Sequence, residues 1–364
     1  MLMNPSRIAT LDLVRVIGMY LVTILHVPAG RPADGNPVIF MFHLFIGLGA
    51  VPAFFLLSGY FSARKLEAPD FTFRAWARDR TRSCVVPFLF WNALVLVFVL
   101  LTKSTALASQ FRGDDTYYGV EPTFWSVTCA LFGIGRTPIV FQFWFLRDLI
   151  VASFAAWWIW RYLGKIPLLP WLFFFVPLPM TPPGGHHLLW NSGGQALWWT
   201  MLSMAPSLGY YLLGCQLHSL FPPERFPGLR AAGAYAVCWF LIGVGVFLKV
   251  IVVPTPLLQL GSAAFILMLA ILLTASPVTR PLAALGPATF FVYATHEPLQ
   301  ALVFKLWERL HLPLAGSLFC FLTIPLVVFA AMVVAYFALS RVFPRLMALA
   351  TGERQSLQPA RSAV

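Results

Sequence analysis

Charge is what this sequence has least of: Asp, Glu, Lys and Arg make up 10% of its 364 residues, against 59% hydrophobic. A soluble domain of this length needs a far more polar surface, so the scarcity excludes a water-solvated globule and makes lipid the solvent. Cysteine is sparse as well. Cys84, Cys129, Cys215, Cys238 and Cys320 are scattered, mostly within apolar runs, with no C-x-x-C spacing. Neither a disulfide framework nor a metal site is expected from them. The N-terminus lacks the pattern of a cleavable signal: MLMNPSR leads into a span carrying Asp12 and Arg15, and no A-x-A site follows a clean apolar core. The first helix is therefore expected to stay in the mature protein. No repeat of fixed period is visible, nor a polar stretch that would make a second, soluble domain.

What the sequence does have is long apolar runs, and its mean hydropathy is +0.79. Segments such as FLFWNALVLVFVLLT and LTIPLVVFAAMVVAYFALS run without alternation. A hydrocarbon core about 30 Å thick takes roughly 20 helical residues, and continuous runs select helices over a closed barrel. The expected fold is all-α: a polytopic bundle of about ten transmembrane helices. The spans run approximately Ile8 to Val27, Val38 to Phe61, Ser83 to Leu101, Trp144 to Tyr162, Leu168 to Met180, Trp199 to Leu217, Ala232 to Val253, Leu257 to Ala275, Pro287 to Phe304 and Ala315 to Leu339. The fifth is short and rich in proline. Residues 1–345 form the membrane domain, and 346–364 are expected to be a disordered cytoplasmic tail.

The formal charge of +12 would suggest a nucleic-acid partner on a soluble domain, but here the basic residues cluster in short loops between apolar spans. With the N-terminus in the cytoplasm, about 16 basic residues lie on that side against about 6 on the other (Arg31, Lys103, Arg112, Arg136, Lys305 and Arg309). The positive-inside rule therefore puts both termini in the cytoplasm. Two outer segments are longer than connectors. Lys103 to Phe143 contains FWSVTCALFGIG, too short to span and expected to be re-entrant or interfacial. TPPGGHHLLWNSGGQ carries His186 and His187, whose adjacency keeps them off a common helix face and favours a loop.

Charged side chains inside spans are costly and usually face a cavity or a partner. In the first helix Asp12, Arg15 and His26 share one face, since the eleven residues from Arg15 to His26 make three turns and a rise of about 16 Å. With Met19 and Val22 they form a stripe suited to line a polar shaft. The plainer reading of Asp12 and Arg15 is a juxtamembrane pair at i, i+3 with the arginine snorkelling to headgroups. His43 and His296 lie near outer span ends, where a bundle histidine is ordinarily hydrogen bonded. Arg147 and Asp148 closely follow Trp144, in the manner of a membrane-entrance anchor. The loop after the second span holds Arg64, Lys65, Arg74, Arg78, Arg80 and Arg82. Such a cluster serves as a topology signal or lipid contact, or as a phosphate site, because a guanidinium matches phosphate with bidentate hydrogen bonds.

Taken together these segments resemble the acyltransferase family 3 integral membrane acyltransferases. RIATLDLVRVIGMYLVTILH is similar to the family's first helix, with ten residues between Arg15 and His26; FFLLSGYFS is similar to the second, RDRTRSCVVPFLFW to the start of the third, FWFLRDLI to the fourth, and LGPATFFVYATHEPL to a late helix. The family often shows two arginines at i, i+3 before the third helix, whereas here they fall at Arg74, Arg78, Arg80 and Arg82. The resemblance implies a multi-pass protein of the bacterial inner membrane that moves an acetyl or succinyl group from acyl-coenzyme A to a hydroxyl of a glycan or similar acceptor. Acyl-coenzyme A would be a co-substrate, with no bound cofactor or metal. It implies His26 as general base, Arg15 as the charge that orients the donor or stabilises the oxyanion, and Asp12 as the group fixing Arg15. Arg74, Arg78, Arg80 and Arg82 would bind the donor. Ser58, Trp144, Arg147, Tyr293 and His296 complete the substrate or oxyanion set, with Ser58 or His26 open as a covalent acyl carrier. A proton-coupled transporter or flippase using the Asp12, Arg15 and His26 stripe as a relay is the alternative, and a sensor without chemistry a third reading.

Overall fold

An apolar segment in lipid has no hydrogen-bond partner but itself, and the described residues accordingly contain helices and no strand. The computed structural model describes residues 5–27, 47–102, 120–163, 166–175, 196–220, 227–248, 250–251, 253–309 and 317–352. The expectations placed on His43, His186 and His187, on residues 103–119 and 176–180, and on the tail beyond residue 352 lie outside these.

Helix α1 runs Pro5–Leu25. A 3₁₀ turn at Gly47–Gly49 leads into α2, Ala50–Leu66. Helix α3, Phe73–Arg80, continues through a π-turn at Thr81–Val85 into α4, Val86–Thr102. Helix α5 is Phe124–Phe132, and a 3₁₀ turn at Phe141–Phe143 starts α6, Trp144–Leu163. Then come α7 (Leu169–Phe175), α8 (Ala196–Leu220), α9 (Leu229–Phe247) and α10 (Thr255–Ala275). A 3₁₀ segment at Arg280–Ala288 opens α11 (Thr289–Arg309), followed by α12 (Ser317–Val342) and α13 (Pro344–Thr351).

Five helical runs among the described residues are long and apolar enough to cross a membrane: Phe73–Thr102, Phe141–Leu163, Leu229–Val246, Thr255–Ala275 and Phe321–Val342. Their exposed faces are apolar. On α4 Leu94, Val97, Phe98 and Leu101 point outward at helical spacing, and on α9 Val237, Phe240 and Leu241 do the same. Helices α1, α8 and α11, of 21, 25 and 21 residues, are as long but carry more polar residues. Helix α1 lies inside, packed on α2, α10, α11, α12 and the 3₁₀ segment before α11.

Two short helices depart from expectation or refine it. The re-entrant or interfacial piece is a nine-residue helix, α5, capped by Thr123, whose hydroxyl accepts the Ser126 N–H at 3.2 Å. It ends at Gly133, which takes the left-handed conformation (φ 69°) that a side chain disfavours. Its first residues, Phe124 and Trp125, are exposed. Residues 346–351, expected to begin a disordered tail, instead lie in α13. That helix buries Met347, Ala350 and Thr351, and Trp91 Nε1 donates to Ala350 O at 2.9 Å. Burial of one apolar face beside α4 supplied the order that charge and length concealed.

Candidate active site

The last turn of a helix leaves carbonyls without donors, and at the end of α1 two side chains fill them. His26 Nδ1 lies 2.8 Å from Val22 O. Gln300 Nε2 donates to Thr23 O at 3.1 Å, an oxygen that also receives the His26 N–H. A carbonyl oxygen only accepts, so His26 carries its proton on Nδ1, and Nε2 of the neutral ring presents a lone pair.

Helix α11 places His296 against it, with ring centroids 5.0 Å apart and planes at 77°. His296 is fully buried, and its Nδ1 is 3.0 Å from both Val292 O and Tyr293 O. The tautomer is therefore the same, and its Nε2 is buried without a hydrogen-bond partner. The edge of Phe141 closes the His26 ring at 6.4 Å between centroids.

Pro298 explains how a third element reaches this place. Proline has no N–H, so in α11 the carbonyl four residues back, Ala294 O, loses its helical donor. Gln142 Nε2 supplies the replacement at 3.3 Å. The Tyr293 hydroxyl returns the contact by donating to Gln142 O, and its ring stacks on Phe143 at 5.2 Å. Asn92, wholly buried in α4, holds the turn in place because its Oδ1 accepts the Val140 N–H at 3.1 Å. Among the expected site residues, then, His26 and His296 come together, with Tyr293 alongside. Trp144 begins α6 just beyond this turn, half-buried and edge-on to Phe145.

The other end of the α1 face is a separate cluster. Arg15 Nη1 pairs with Asp12 Oδ1 at 2.7 Å, and both side chains are partly exposed. Asp12 packs against Gly286, where a Cβ would stand 3.1 Å from the Asp12 Cβ. The Arg15 guanidinium lies 5.6 Å from the ring centroid of Phe61. The neighbouring residue of α2, Ser62, accepts from Arg80 Nη2 and also receives the Tyr211 hydroxyl at 2.6 Å. Arg80 lies 3.4 Å from that hydroxyl and packs over Trp76. Of the four arginines expected to bind donor, Arg80 alone turns into the bundle; Arg74, Arg78 and Arg82 are exposed.

Between the two ends the expected α1 stripe is closed, since Met19 and Val22 are buried in the core. The half-buried residues that connect the levels are on the facing helix instead: Phe54, Ser58 and Phe61 share one face of α2. Arg15 therefore stands about 16 Å along α1 from His26 and does not meet it. Arg147 is engaged elsewhere. Its Nη1 donates to Gly133 O at 2.7 Å, its Nε and Nη2 reach Asp148 Oδ1 at 3.0 and 2.9 Å, and Ser207 donates to the other Asp148 oxygen at 3.2 Å. This buried network ties the end of α5 to α6 and α8.

Sequence reasoning missed Gln142, Gln300 and Asn92. Gln300 follows His296 by four residues, so the helical spacing that flagged His26 would have flagged it had neutral amides been weighed with charges. Gln142 precedes its helix and has no periodic signal.

The chain belongs to acyltransferase family 3: the family's acyltransferase-domain model matches residues 8–340. It is 26% identical, over 372 residues covering 97% of this chain and 94% of the relative, to the succinoglycan biosynthesis protein ExoH of Rhizobium meliloti (strain 1021). No solved structure matches it significantly. Family membership sets aside the transporter and sensor readings.

Proposed function

We propose that the protein moves an acetyl or succinyl group from acyl-coenzyme A, bound from the cytoplasm, to a hydroxyl of a glycan presented at the outer side of a bacterial inner membrane. The observation that carries the reading is the fixed tautomer of His26, whose unprotonated Nε2 is free to take a proton. As the acceptor oxygen attacks the thioester carbonyl, its proton passes to His26 Nε2; the tetrahedral oxyanion collapses, the C–S bond breaks, and the coenzyme A thiolate leaves and is protonated. The relative's name, which mentions succinoglycan, supports a polysaccharide acceptor. Arg15 and Arg80, which contact the consecutive α2 residues Phe61 and Ser62, suit the phosphates of the donor, whose extended arm would then span the distance to His26.

The test is transfer itself: purified protein in nanodiscs, radiolabelled acetyl- or succinyl-coenzyme A, and a panel of bacterial glycans. Label moving to none of them, with either donor, would sink the reading. Sidedness is tested in a cysteine-free background, where a cysteine at Ala68 is expected to label only from the cytoplasm and one at Pro122 only from outside.

Donor binding makes a finer prediction. Arg80 has two hydroxyl partners and, among the described residues, no carboxylate within ion-pair distance, so a donor phosphate would supply its counterion. A charge-assisted hydrogen bond contributes about 1.5–3 kcal/mol, so Arg80→Gln should raise KM for acyl-coenzyme A about 10- to 100-fold, while exposed Arg74→Gln changes it less than about threefold. Equal effects in steady-state kinetics would make the cluster a diffuse charge rather than a site.

A further inference from the structure

Three buried side-chain acceptors, one on His296 and two on glutamines bonded to α11 or to the end of α1, have no donor among the described residues. His296 Nε2, Gln142 Oε1 and Gln300 Oε1 are all buried and without a hydrogen-bond partner. Their residues are 0%, 2% and 1% exposed. The amide orientations are fixed, because Gln142 Nε2 meets Ala294 O and Gln300 Nε2 meets Thr23 O, and only an NH₂ donates to a carbonyl. The oxygens are therefore what remains. His296 takes the same tautomer for the same reason.

Their hosts adjoin along neighbouring turns of α11 and the end of α1. Ala294 lies two residues before His296, Gln300 one turn after it, and Thr23 one turn before His26, whose ring touches that of His296. Buried polar atoms without partners are rare in folded proteins, and three acceptors on neighbouring turns call for a complement of the opposite kind. A complement that only donates excludes carboxylates, phosphates and carbonyl oxygens. An ammonium donates too, but in a buried site its charge would need a carboxylate, and among the described residues His296, Gln142 and Gln300 bond to none. Neutral hydroxyls, several on one rigid frame, satisfy three acceptors at once.

We propose that Gln142, Gln300 and His296 form the subsite that recognises the acceptor, and that its ligand is the polyhydroxyl ring of a pyranoside, held by hydroxyls adjacent to the one that is acylated. This rests on the reading of His26 as the base and adds what is read beside it. His26 Nε2 takes the reacting proton, while the three acceptors hold the neighbouring hydroxyls and so set which position is acylated. His296 is thus a specificity-determining group rather than a second base.

A measurement without donor tests the subsite apart from the chemistry. The full chain in nanodiscs is melted with and without methyl β-D-glucopyranoside, and with cyclohexanol as a single-hydroxyl control. The glycoside should raise Tm and cyclohexanol should not. Gln142→Met and Gln300→Met remove an unpaired acceptor at nearly constant volume. Each variant also removes the amide donor to Ala294 O or Thr23 O and so lowers the ligand-free Tm somewhat, but each should lose the glycoside-induced rise and retain acyl-coenzyme A binding. In the transfer assay each should raise KM for the acceptor roughly tenfold or more, as expected for a hydrogen bond lost from a buried site. Absence of a glycoside-induced rise in the wild type overturns the proposal, and so does a rise that persists in both variants. A fall in ligand-free Tm with acceptor KM unchanged also overturns it, by making the amides structural. A wild type protected by the glycoside but unable to transfer acyl groups would leave the subsite standing and remove the acyl-transfer reading.

Discussion

Turnover of His26→Ala is expected to fall by about 10²–10⁴-fold, the usual share of a general base, in protein that inserts and binds acyl-coenzyme A as the wild type does. The cause is specific to one nitrogen. Nδ1 is spent on Val22 O, so only Nε2 is free to accept the acceptor's proton, and alanine has nothing to put there. His26→Gln should be nearly as inactive, since a glutamine amide hydrogen bonds but does not take a proton at neutral pH. Donor KM should be unchanged in both, because Arg15 and Arg80 lie at the other end of the helices. The nearest imidazole, His296, is positioned to confuse this test, its ring 5.0 Å away. Single-turnover rates of His26→Ala and of His26→Ala with His296→Ala separate the two. If His26→Ala retains turnover within about threefold of the wild type, the histidine is not the base. If only the double variant is inactive, His296 substitutes for it.

How much of this was legible in the sequence follows from what each residue spends its energy on. Apolar length is decisive in lipid, so the helical class and several spans could be read directly, as for Thr255–Ala275 against an expected span from Leu257 to Ala275. His26 was legible because it shares a helix face with Asp12 and Arg15, ionisable residues that are costly in a span and so stand out. His296 was legible as a polar residue in a span, but nothing in the spacing of one helix says which other helix it will touch. Arg147 shows the converse. It resembles a site arginine in sequence, yet its donors go to Gly133 O and Asp148, partners that depend on how the α5 turn folds back. Arg80 could not be distinguished from Arg74, Arg78 and Arg82 by composition; the π-turn at Thr81–Val85 lies directly after it, at the junction of α3 and α4. Gln142 reached the site through a proline two residues past His296, a link between distant segments made by a missing N–H.

The second large effect concerns the seam that aligns the proposed donor end. Lipid gives apolar helices no hydrophobic reason to associate, so close packing must do it, and small residues allow the closest packing. Helices α2 and α8 show this from both sides. A Cβ on Gly59 would stand 1.9 Å from Tyr211 O, and one on Gly214 would stand 2.2 Å from Leu56 O. These are backbone atoms of helices, which cannot rotate away as side chains do. Even Gly59→Ala must push the pair apart by about 1 Å or more, stretching the Arg80, Ser62 and Tyr211 cluster that bridges α2 and α8. Overpacking of this kind costs about 1–3 kcal/mol, so Gly59→Ala should lower Tm by roughly 1–4 °C and raise KM for acyl-coenzyme A, and Gly59→Leu should yield no folded protein. Gly233, in α9, is the control: nothing lies within 4 Å of its would-be Cβ, so Gly233→Ala should leave Tm unchanged or raise it through better helix propensity. Thermal melts of purified Gly59→Ala and Gly233→Ala, with the yield of Gly59→Leu, decide the matter. A Gly59→Ala protein melting within about 1 °C of the wild type, with unaltered donor KM, would mean that α2 and α8 separate freely and that their contact does not set the position of Arg80.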